Sequence, residues 1–513
     1  MSGAGWRWAR WLHVSSLGAS TLLLTQVAAA TPLYGPPTRA DPPLAPGSAA
    51  EPTEDAESAS PTAPQKYPPA TRPTGAPLSA DDKRANPGYE AEEPASGALW
   101  VPRVILFPLY LVSEFVVRRP LGALSTYAEA HDWPQKFLYA TSFGTYGTDH
   151  QMGILPTATL EWGVRANAGL YFYADNAFAQ GNHVRLSATA GGPNWLQLLL
   201  ADRVDLGPDR HVALKASVTR RADQQFWGFG PQSPSSGFRY RVTQADGALA
   251  YHNRFWRTSE FNSAVGLRSA LFDNHVSSGP SVAHGIATGS LVASPPGFEG
   301  YTIAYQRLAV ALDTRRLREQ NPRIASVDFV SPPGTGARLE LLGEHDATVS
   351  GLRDGYPPVH QWVRYGGEVG VYGDITGMQR TLGLSVSTEL ADPIEHSEIP
   401  FVELPSLGGL EPMRAFKTYR FIDRSWLVTQ ASYQWPIWPE LDGRLEAALG
   451  NVFGPRYQGF DPDLLRGSFA LGVETTGSRD LAFQVLFGIG TRTIRDGFGV
   501  EKLRFVAGTS SEF

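Results

Sequence analysis

The sequence predicts an all-β fold: a 16-stranded antiparallel transmembrane β-barrel, preceded by a disordered Pro-rich segment and a short amphipathic helix. Two observations favour it. From about residue 153 onward, segments of roughly 8–14 residues alternate apolar and polar side chains, as tilted strands do when one face meets lipid and the other the lumen. The connections between these segments are alternately long and short, as extracellular loops and periplasmic turns are.

The composition excludes several classes of site. The 513 residues carry a formal net charge of −6, which is mild for this length and gives no reason to expect a nucleic-acid partner. The chain has no cysteine, so disulfides, thiolate metal sites and thiol nucleophiles are excluded. No motif indicates a cofactor or a metal ion. We therefore expect a protein that is not an enzyme and has no catalytic residues.

The first 30 residues are typical of a cleaved secretory signal peptide. Arg7 and Arg10 give a basic start, the apolar run 17–27 follows, and three alanines at 28–30 offer a cleavage site. The alternative is an uncleaved membrane anchor. Cleavage is favoured because the apolar run is shorter than the roughly 20 residues that a spanning helix needs.

Two segments separate the signal from the barrel. Residues 31–97 contain 15 prolines and only three aromatic residues, so they cannot bury enough apolar surface to fold, and we expect a disordered linker. Residues 98–135 hold an apolar block that predicts a short amphipathic helix from about Pro108 to Arg119, ended by Pro120. This helix would lie in the periplasm or at the membrane interface, or simply pack without a special role.

The barrel is assigned to residues 136–513. We expect strands to start near residues 152, 167, 183, 195, 211, 236, 259, 300, 336, 361, 379, 425, 441, 465, 480 and 500. Connections after strands 7, 9, 11 and 13 are long, and those after strands 2, 4, 10, 12 and 14 are short. The long connection 313–335, after strand 8, breaks this rule. The last strand ends on Phe513, and a terminal aromatic residue is typical of outer-membrane barrels.

The stretch 404–437 contains an unusually long connection. It begins with Gly408 and Gly409, continues with Met413-Arg414-Ala415-Phe416, and ends in an alternating, strand-like segment. Loops longer than about 12–15 residues are usually functional or disordered. We therefore expect this loop to fold back into the lumen of the barrel.

These features resemble the BamA/TamA superfamily of outer-membrane insertases and translocators, also called the bacterial surface antigen family. The resemblance covers roughly 153–513. It rests on four places: the double glycine with the motif from Met413 to Phe416, Tyr433-Gln434-Trp435-Pro436-Ile437 at the end of strand 12, Gly450-Asn451-Val452 at the end of strand 13, and Leu312-Asp313-Thr314-Arg315 after strand 8.

The resemblance implies a role for the loop. In this family the loop after strand 11 enters the lumen, and its arginine contacts acidic groups on the inner wall, so Arg414 is expected to latch the loop. An arginine fork can hold a carboxylate with two hydrogen bonds. Ala448 stands where the family often has an acidic residue, and Glu446 and Glu474 are therefore the expected partners.

Two departures from the family's pattern affect these expectations. Ala415 replaces the glycine that follows the arginine, so a positive φ at this residue would be strained. Residues 31–97 lack the apolar pattern of the periplasmic POTRA modules. The resemblance therefore implies a short member without POTRA modules, in which clients are not recruited through them.

Other polar and aromatic residues carry weaker hypotheses. A lipid hydrolase embedded in the barrel would use Ser142, Asp149 and His150, although their spacing matches no known arrangement. A cation site in the long loop would use Glu395, His396 and Glu398, although a solvated loop face is the simpler interpretation. Aromatic girdles at the membrane interfaces would use Trp162, Trp195, Trp227, Trp256, Trp426, Trp435 and Trp438.

The sequence therefore predicts a BamA/TamA-type barrel that assists the insertion or translocation of proteins, or of lipids, at the bacterial outer membrane. The seam between strands 1 and 16 would open laterally, and the loop around Arg414 would gate the lumen. The expected partners are outer-membrane lipid and lipopolysaccharide, with unfolded client proteins as candidates and the oligomeric state left open. A passive pore or a structural barrel is the alternative.

Overall fold

Sixteen strands form one antiparallel sheet that closes on itself in the computed structural model, which describes residues 115, 119–143, 151–276, 278–315, 334–350, 360–374, 379–438, 441–475 and 482–510. The strands are β1 Met152–Glu161, β2 Asn167–Asp175, β3 Asn182–Ala190, β4 Trp195–Gly207, β5 Arg210–Phe226, β6 Phe238–Trp256, β7 Ser259–Asp273, β8 Tyr301–Asp313, β9 Gly336–Ser350, β10 Gln361–Asp374, β11 Thr381–Pro393, β12 Ser425–Trp438, β13 Leu441–Phe453, β14 Arg466–Thr475, β15 Ala482–Thr493 and β16 Val500–Ser510. The described helices of at least six residues are α1 Arg119–Ala130, α2 Trp133–Thr141 and α3 Val282–Ala287.

The predicted fold class is confirmed. Every strand begins within two residues of its expected start, because period-two alternation and the turn residues between strands are local signals. The long connections after β7, β11 and β13 lie at one end of the barrel, and the short turns after β4, β6 and β12 lie at the other. The end with short turns is the periplasmic end of such a barrel. The connection after β8 is long, as expected, and most of it lies outside the described residues.

The outer face of the barrel is apolar and the inner face is polar. Closure of the sheet allows backbone groups to bond within the wall, as a lipid environment requires. Large hydrophobic side chains are exposed on the outward positions of consecutive strands, which makes a surface suited to lipid: Leu198, Leu200, Leu214, Val218, Leu249, Val265, Leu267, Leu308, Leu339, Leu341, Val369, Val371, Leu384 and Val386.

A hydrophobic cluster, here called the cap cluster, lies at the extracellular end of the lumen. It joins the loop after β7, which contains α3, to the loop after β11 and to the upper ends of β5–β8, β10 and β11. Phe401 lies at its centre, with ring centroids 5.4 Å from Tyr240 and 5.2 Å from Phe272. The described buried members are Phe226, Tyr240, Val242, Ala270, Val282, Phe298, Tyr301, Ile303, Trp362, Ala391, Ile399, Phe401, Leu404 and Ile422.

The helices before the barrel differ from the prediction. The expected helix from about Pro108 to Arg119 falls almost entirely outside the described residues, as do the signal peptide and the linker 31–97. Pro120 does not end a helix; it lies in the first turn of α1, where a missing N–H breaks no intrahelical bond. Helix α2 continues to Thr141, beyond the boundary expected at residue 135.

Helix α1 packs against the outside of the barrel wall. Its Leu121 joins a buried cluster that contains Trp435 of β12. The neighbouring Gln434 faces the lumen, where its side chain donates a hydrogen bond to Asp442 at 2.8 Å. Because successive side chains of a strand point to opposite faces, Trp435 faces outward. The segment therefore lies beside the periplasmic end of β12. Among the described residues, no helix is long and apolar enough to cross a membrane.

The apolar outer face predicts a depth-dependent cost for a charged side chain. Leu249 of β6 lies opposite Leu214 and Val265, all three exposed, and Leu206 lies beside the periplasmic turn after β4. We expect Leu249→Arg to lower the free energy of unfolding by about 2–4 kcal/mol, and the control Leu206→Arg by about 0–1 kcal/mol. Urea titration of the protein folded in lipid vesicles measures both. Equal effects would contradict the assigned membrane depth.

Candidate functional site

The long loop after β11, residues 394–424 and here called the lumen loop, folds back inside the barrel. A short hairpin pairs 406–407 with 421–422 at its neck. Gly408 and Gly409 follow with φ angles of 101° and 111°, which other residues adopt only with strain. A Cβ on Gly408 would lie 2.2 Å from a backbone carbonyl oxygen across the loop. The double glycine is therefore needed for the turn that leads to the tip.

The tip of the lumen loop, from Met413 to Phe416, is buried against the inner wall. Gly488 and Gly490 of β15 leave the space for it: a Cβ on Gly488 would lie 2.7 Å from the Cα of Ala415, and one on Gly490 would lie 2.5 Å from the Phe416 ring. The Ala415 amide donates to a serine hydroxyl of β14 at 3.0 Å. The strain considered for Ala415 does not arise, because the positive φ in this motif falls on Met413.

Arg414 lies between the two carboxylates expected from the sequence. Its Nη2 is 3.3 Å from Glu474 and its Nε is 3.7 Å from Glu446. Arg444 of β13 contacts the same two carboxylates, at 3.4 Å and 2.5 Å, and Glu411 of the lumen loop at 2.7 Å. Two guanidinium groups therefore share three carboxylates, of which Glu446 is buried and Glu411 is half exposed. Arg444 occupies an inward position of a correctly placed strand and was not among the residues predicted from the sequence.

Glu403 anchors the lumen loop to a different part of the wall. It accepts a hydrogen bond from the Tyr301 hydroxyl of β8 at 2.7 Å, and it lies 2.7 Å from Arg268 of β7 and 3.7 Å from Arg364 of β10. Both arginines also contact Glu344 of β9. The sequence analysis missed Glu403. The available signal was an acidic residue immediately before the stretch it singled out, with arginines at inward positions of β7 and β10.

Arg420 anchors the returning arm of the lumen loop at β16. Its Nη2 is 2.7 Å from Glu501, its Nη1 donates to the Ser233 hydroxyl at 2.9 Å, and its guanidinium carbon lies 5.5 Å from the centre of the Trp227 ring. Glu403 contacts β8, and β8 and β16 lie on opposite sides of a ring of 16 strands. The lumen loop therefore crosses the barrel as a strap that is attached at both sides.

The lumen loop also reaches the turn after β1. Lys417 donates from Nζ to the carbonyl oxygen of Gly163 at 2.8 Å. Burial lowers the pKa of Lys417 to about 8, and the positive charge of Lys502 contributes to the lowering. A lysine that is partly neutral near this pH costs less to bury.

The junction between β16 and β1, here called the seam, has the fewest residue pairs among the described strands. Three residue pairs join 506–508 to 159–161. Each of the other neighbouring strand pairs has eight to fifteen residue pairs within the described part of the chain. One further bond, from the Trp162 amide to the Phe505 carbonyl at 3.1 Å, extends the seam upward. Within the described residues, the pairing across the seam therefore lies near the extracellular end of β1.

The periplasmic end of the same β1 edge is covered by the chain itself. The two-residue strand Ser142–Phe143 pairs antiparallel with Gly153 and Met152 of β1. Between this short strand and the seam, no described residue pairs with positions 154–158 of β1 on the seam edge.

Arg504 of β16 connects the seam to the lumen loop. Its Nε is 2.8 Å from Glu161 of β1, on the other side of the seam. Its Nη1 donates to the carbonyl oxygen of Arg414 at 2.7 Å and to that of Gly409. The side chain is 4% exposed, so these contacts are shielded from water. Sequence reasoning missed Arg504; its only signal was an inward position between the outward-facing Leu503 and Phe505.

Two other motifs of the family resemblance hold connections in place. Asp313 and Arg315 form a buried ion pair at 2.7 Å, and the Arg315 guanidinium lies 4.5 Å from the centre of the Tyr372 ring. Asn451 donates to the Leu464 carbonyl at 2.6 Å and so closes the loop after β13. These contacts position the wall and bring no reactive groups together.

The remaining candidates do not assemble into a site. Glu395, His396 and Glu398 are exposed, and no group of three potential ligands for a metal ion occurs within the described ranges. Asp149, His150 and Phe513 lie outside the described residues, so the hydrolase hypothesis and the terminal signal stay predictions.

The girdle prediction holds for some tryptophans and is wrong for others. Trp162, just after β1, and Trp256 of β6 are exposed at opposite ends of the barrel wall. The side chain of Trp438 lies outside the described residues. Four others are buried because they pack against arginines, the lumen loop or the cluster under α1: Trp195, Trp227, Trp426 and Trp435.

The latch around Arg414 predicts a large loss of stability when its charge is removed. We expect Arg414→Met to lower the free energy of unfolding by about 3–5 kcal/mol, because the carboxylates around it lose a buried partner. Trypsin should then cut the lumen loop at Lys417. The control is Arg495→Met, which removes a half-exposed ion pair with Asp461 and should cost less than about 1 kcal/mol. Equal losses and an uncut loop would show that Arg414 is not a latch.

The comparisons with known proteins concern the fold. No family model matches the chain, and no curated protein does. Among solved structures, BamA from Haemophilus ducreyi lacking POTRA domains 1-3 matches at 12% identity over 72% of this chain and 74% of that chain, with a TM-score of 0.44. CdiB from Acinetobacter baumannii matches at 9% identity, over 70% of this chain and 59% of that one, with a TM-score of 0.41.

A second CdiB structure, from Escherichia coli, matches at 11% identity over 69% of this chain and 62% of that chain, with a TM-score of 0.41. The likeness to these structures concerns the fold alone, which in this chain is a closed 16-stranded antiparallel barrel.

Proposed function

We propose that the protein assists the insertion or translocation of proteins, or of lipids, at the outer membrane, and that it does so without catalysing a chemical reaction. The observation that carries this proposal is the seam. Among the described residues, three residue pairs join β16 to β1, whereas every other pair of neighbouring strands has at least eight. Backbone hydrogen bonds contribute about 0.5–1.5 kcal/mol each in water and more in lipid. The seam is therefore the junction that costs least to open.

An opened seam would present a strand edge to the membrane and to the periplasm. Unpaired backbone groups in lipid are unfavourable, so such an edge binds any strand that can pair with it. The two-residue strand Ser142–Phe143 already pairs with this edge of β1. This contact supports the view that the edge accepts an extended segment, and a client strand would extend or displace it.

The lumen loop would control the opening. Arg504 holds Glu161 across the seam with the same guanidinium that binds two carbonyls of the lumen loop. Moving the tip of the loop away from β16 would remove part of this contact and leave Arg504 short of partners. The loop and the seam would therefore change state together, with Arg414 keeping the loop in its resting position.

A structural barrel is the second candidate, and the cap cluster favours it. Its fourteen buried hydrophobic residues lie at the extracellular end of the lumen, which supports a wall element over a permanently open pore. Ion conductance of single proteins in planar bilayers separates the alternatives, because a passive pore conducts steadily and a capped barrel does not.

A disulfide across the seam tests the proposed function. Leu160 and Ala507 lie opposite each other in the seam, and the chain has no cysteine of its own. We expect the protein in liposomes to accelerate the folding of an unfolded client barrel relative to empty liposomes. Oxidised Leu160→Cys/Ala507→Cys should lose this acceleration and regain it on reduction, because the disulfide holds β1 and β16 together.

The matched control places the disulfide on the other edge of the same strand. Ala158 and Ala168 lie opposite each other between β1 and β2, so Ala158→Cys/Ala168→Cys should accelerate folding in both redox states. Full activity of the oxidised seam variant would overturn lateral opening. Lack of acceleration by the wild-type protein would overturn the insertion hypothesis and favour the structural barrel.

A further inference from the structure

A cavity of about 370 Å³ lies in the lumen against the wall of β3–β8. It is far from the Arg414 latch on β13 and β14 and from the seam, and nothing in the proposed function uses it. Its charged lining consists of basic side chains from five of the six strands and one carboxylate from β7: His183, Arg185, Arg203, His211, Lys215, His252, Arg307 and Glu260.

The cavity belongs to the periplasmic half of the barrel. His183 and His211 are the second residues of β3 and β5, and Glu260 is the second residue of β7. All three lie next to the short turns that mark the periplasmic end. The cap cluster lies at the opposite end of the lumen. We therefore expect a ligand to enter from the periplasm.

The basic side chains are held in place by carboxylates that do not line the cavity. Arg185 lies 2.8 Å from Asp175, and Arg203 lies 3.2 Å from Asp205. His183 bridges the two, with Nδ1 2.8 Å from Asp175 and Nε2 3.0 Å from Asp205. Both ring nitrogens face carboxylates, an arrangement that favours the protonated, cationic form of the ring. Two guanidinium groups and this ring are thus fixed side by side at one wall.

Two further basic side chains line the cavity from β5 and β8. Lys215 lies on β5, two positions from the lining residue Ala213, and Arg307 reaches the cavity from β8. Arg307 is positioned by an ion pair with Glu344 of β9. The stacked rings of His211 and His252, with centroids 4.7 Å apart, complete the lining. Glu260 alone presents a negative charge to the cavity.

We propose that this cavity binds the phosphate group of a small phosphorylated molecule that arrives from the periplasm. Arginine forks and a lysine point charge are the groups that recognise phosphate, and a preformed arrangement loses little entropy on binding. A volume of about 370 Å³ fits a phosphorylated headgroup and is too small for a folded client. A lipid headgroup and a free phosphate anion are the two sources of this chemistry.

The test is calorimetric titration of the full-length protein, folded in maltoside micelles and in phosphate-free buffer. The probes are pyrophosphate, dihexanoyl phosphatidic acid and dihexanoyl phosphatidylcholine. We expect pyrophosphate and the phosphatidic acid to bind saturably, and the phosphatidylcholine to bind about tenfold more weakly, because its choline offsets the phosphate charge. Tighter binding of phosphatidic acid than of pyrophosphate identifies a lipid headgroup; the reverse identifies a free anion.

Variants locate the binding. Lys215→Glu should weaken binding of the preferred probe by about tenfold, because it reverses one charge of the lining. Lys502→Glu is the control, since it makes the same change in the lumen near the extracellular end of β16. If Lys215→Glu does not fold, Arg307→Gln replaces it. The proposal is overturned if no probe binds, if the two lipids bind equally, or if the cavity variant and Lys502→Glu behave alike.

Discussion

Charges buried inside the lumen must have partners, and this constraint determines where the lumen loop lies. Glu403, Arg414 and Arg420 belong to the loop, and each meets an opposite charge on a strand of the wall. Pulling any of them away would leave a charge unpaired in a place with little water, at a cost of several kcal/mol. The loop therefore stays stretched across the barrel, and its apolar residues complete the cap cluster above the lumen.

The seam has the fewest described residue pairs of the wall, and the lumen loop is attached to it through Arg504. Arg504 holds Glu161 on the far side of the seam and two carbonyls of the loop at the same time. Under the proposed function, the position of the loop and the closure of the seam would therefore be coupled. The cap cluster lies in the extracellular half of the lumen, and the basic cavity lies in the periplasmic half.

The sequence is sufficient for local features and insufficient for contacts that depend on closure of the ring. Strand starts and the turn at Gly408 follow from alternation and backbone freedom, which neighbouring residues determine. Arg414 could be singled out from its motif. Glu403 and Arg504 could not, because their partners lie 135 and 343 residues away and meet them only in the closed barrel. Trp435 faces outward as expected for a girdle, yet the packing of α1 on the wall buries its cluster.

Amide hydrogen exchange of the protein in lipid nanodiscs tests the central claim most directly. If the seam is the weakest junction of the wall, the seam-facing amides of 159–162 and 506–508 exchange faster than those that join β5 to β6, where fifteen residue pairs are formed. The variant Arg504→Gln loses the contact between the lumen loop and the seam. It should raise the amide exchange rates at the seam further and leave those of β5 and β6 unchanged. Equal protection at the seam and between β5 and β6 would contradict a wall that opens there.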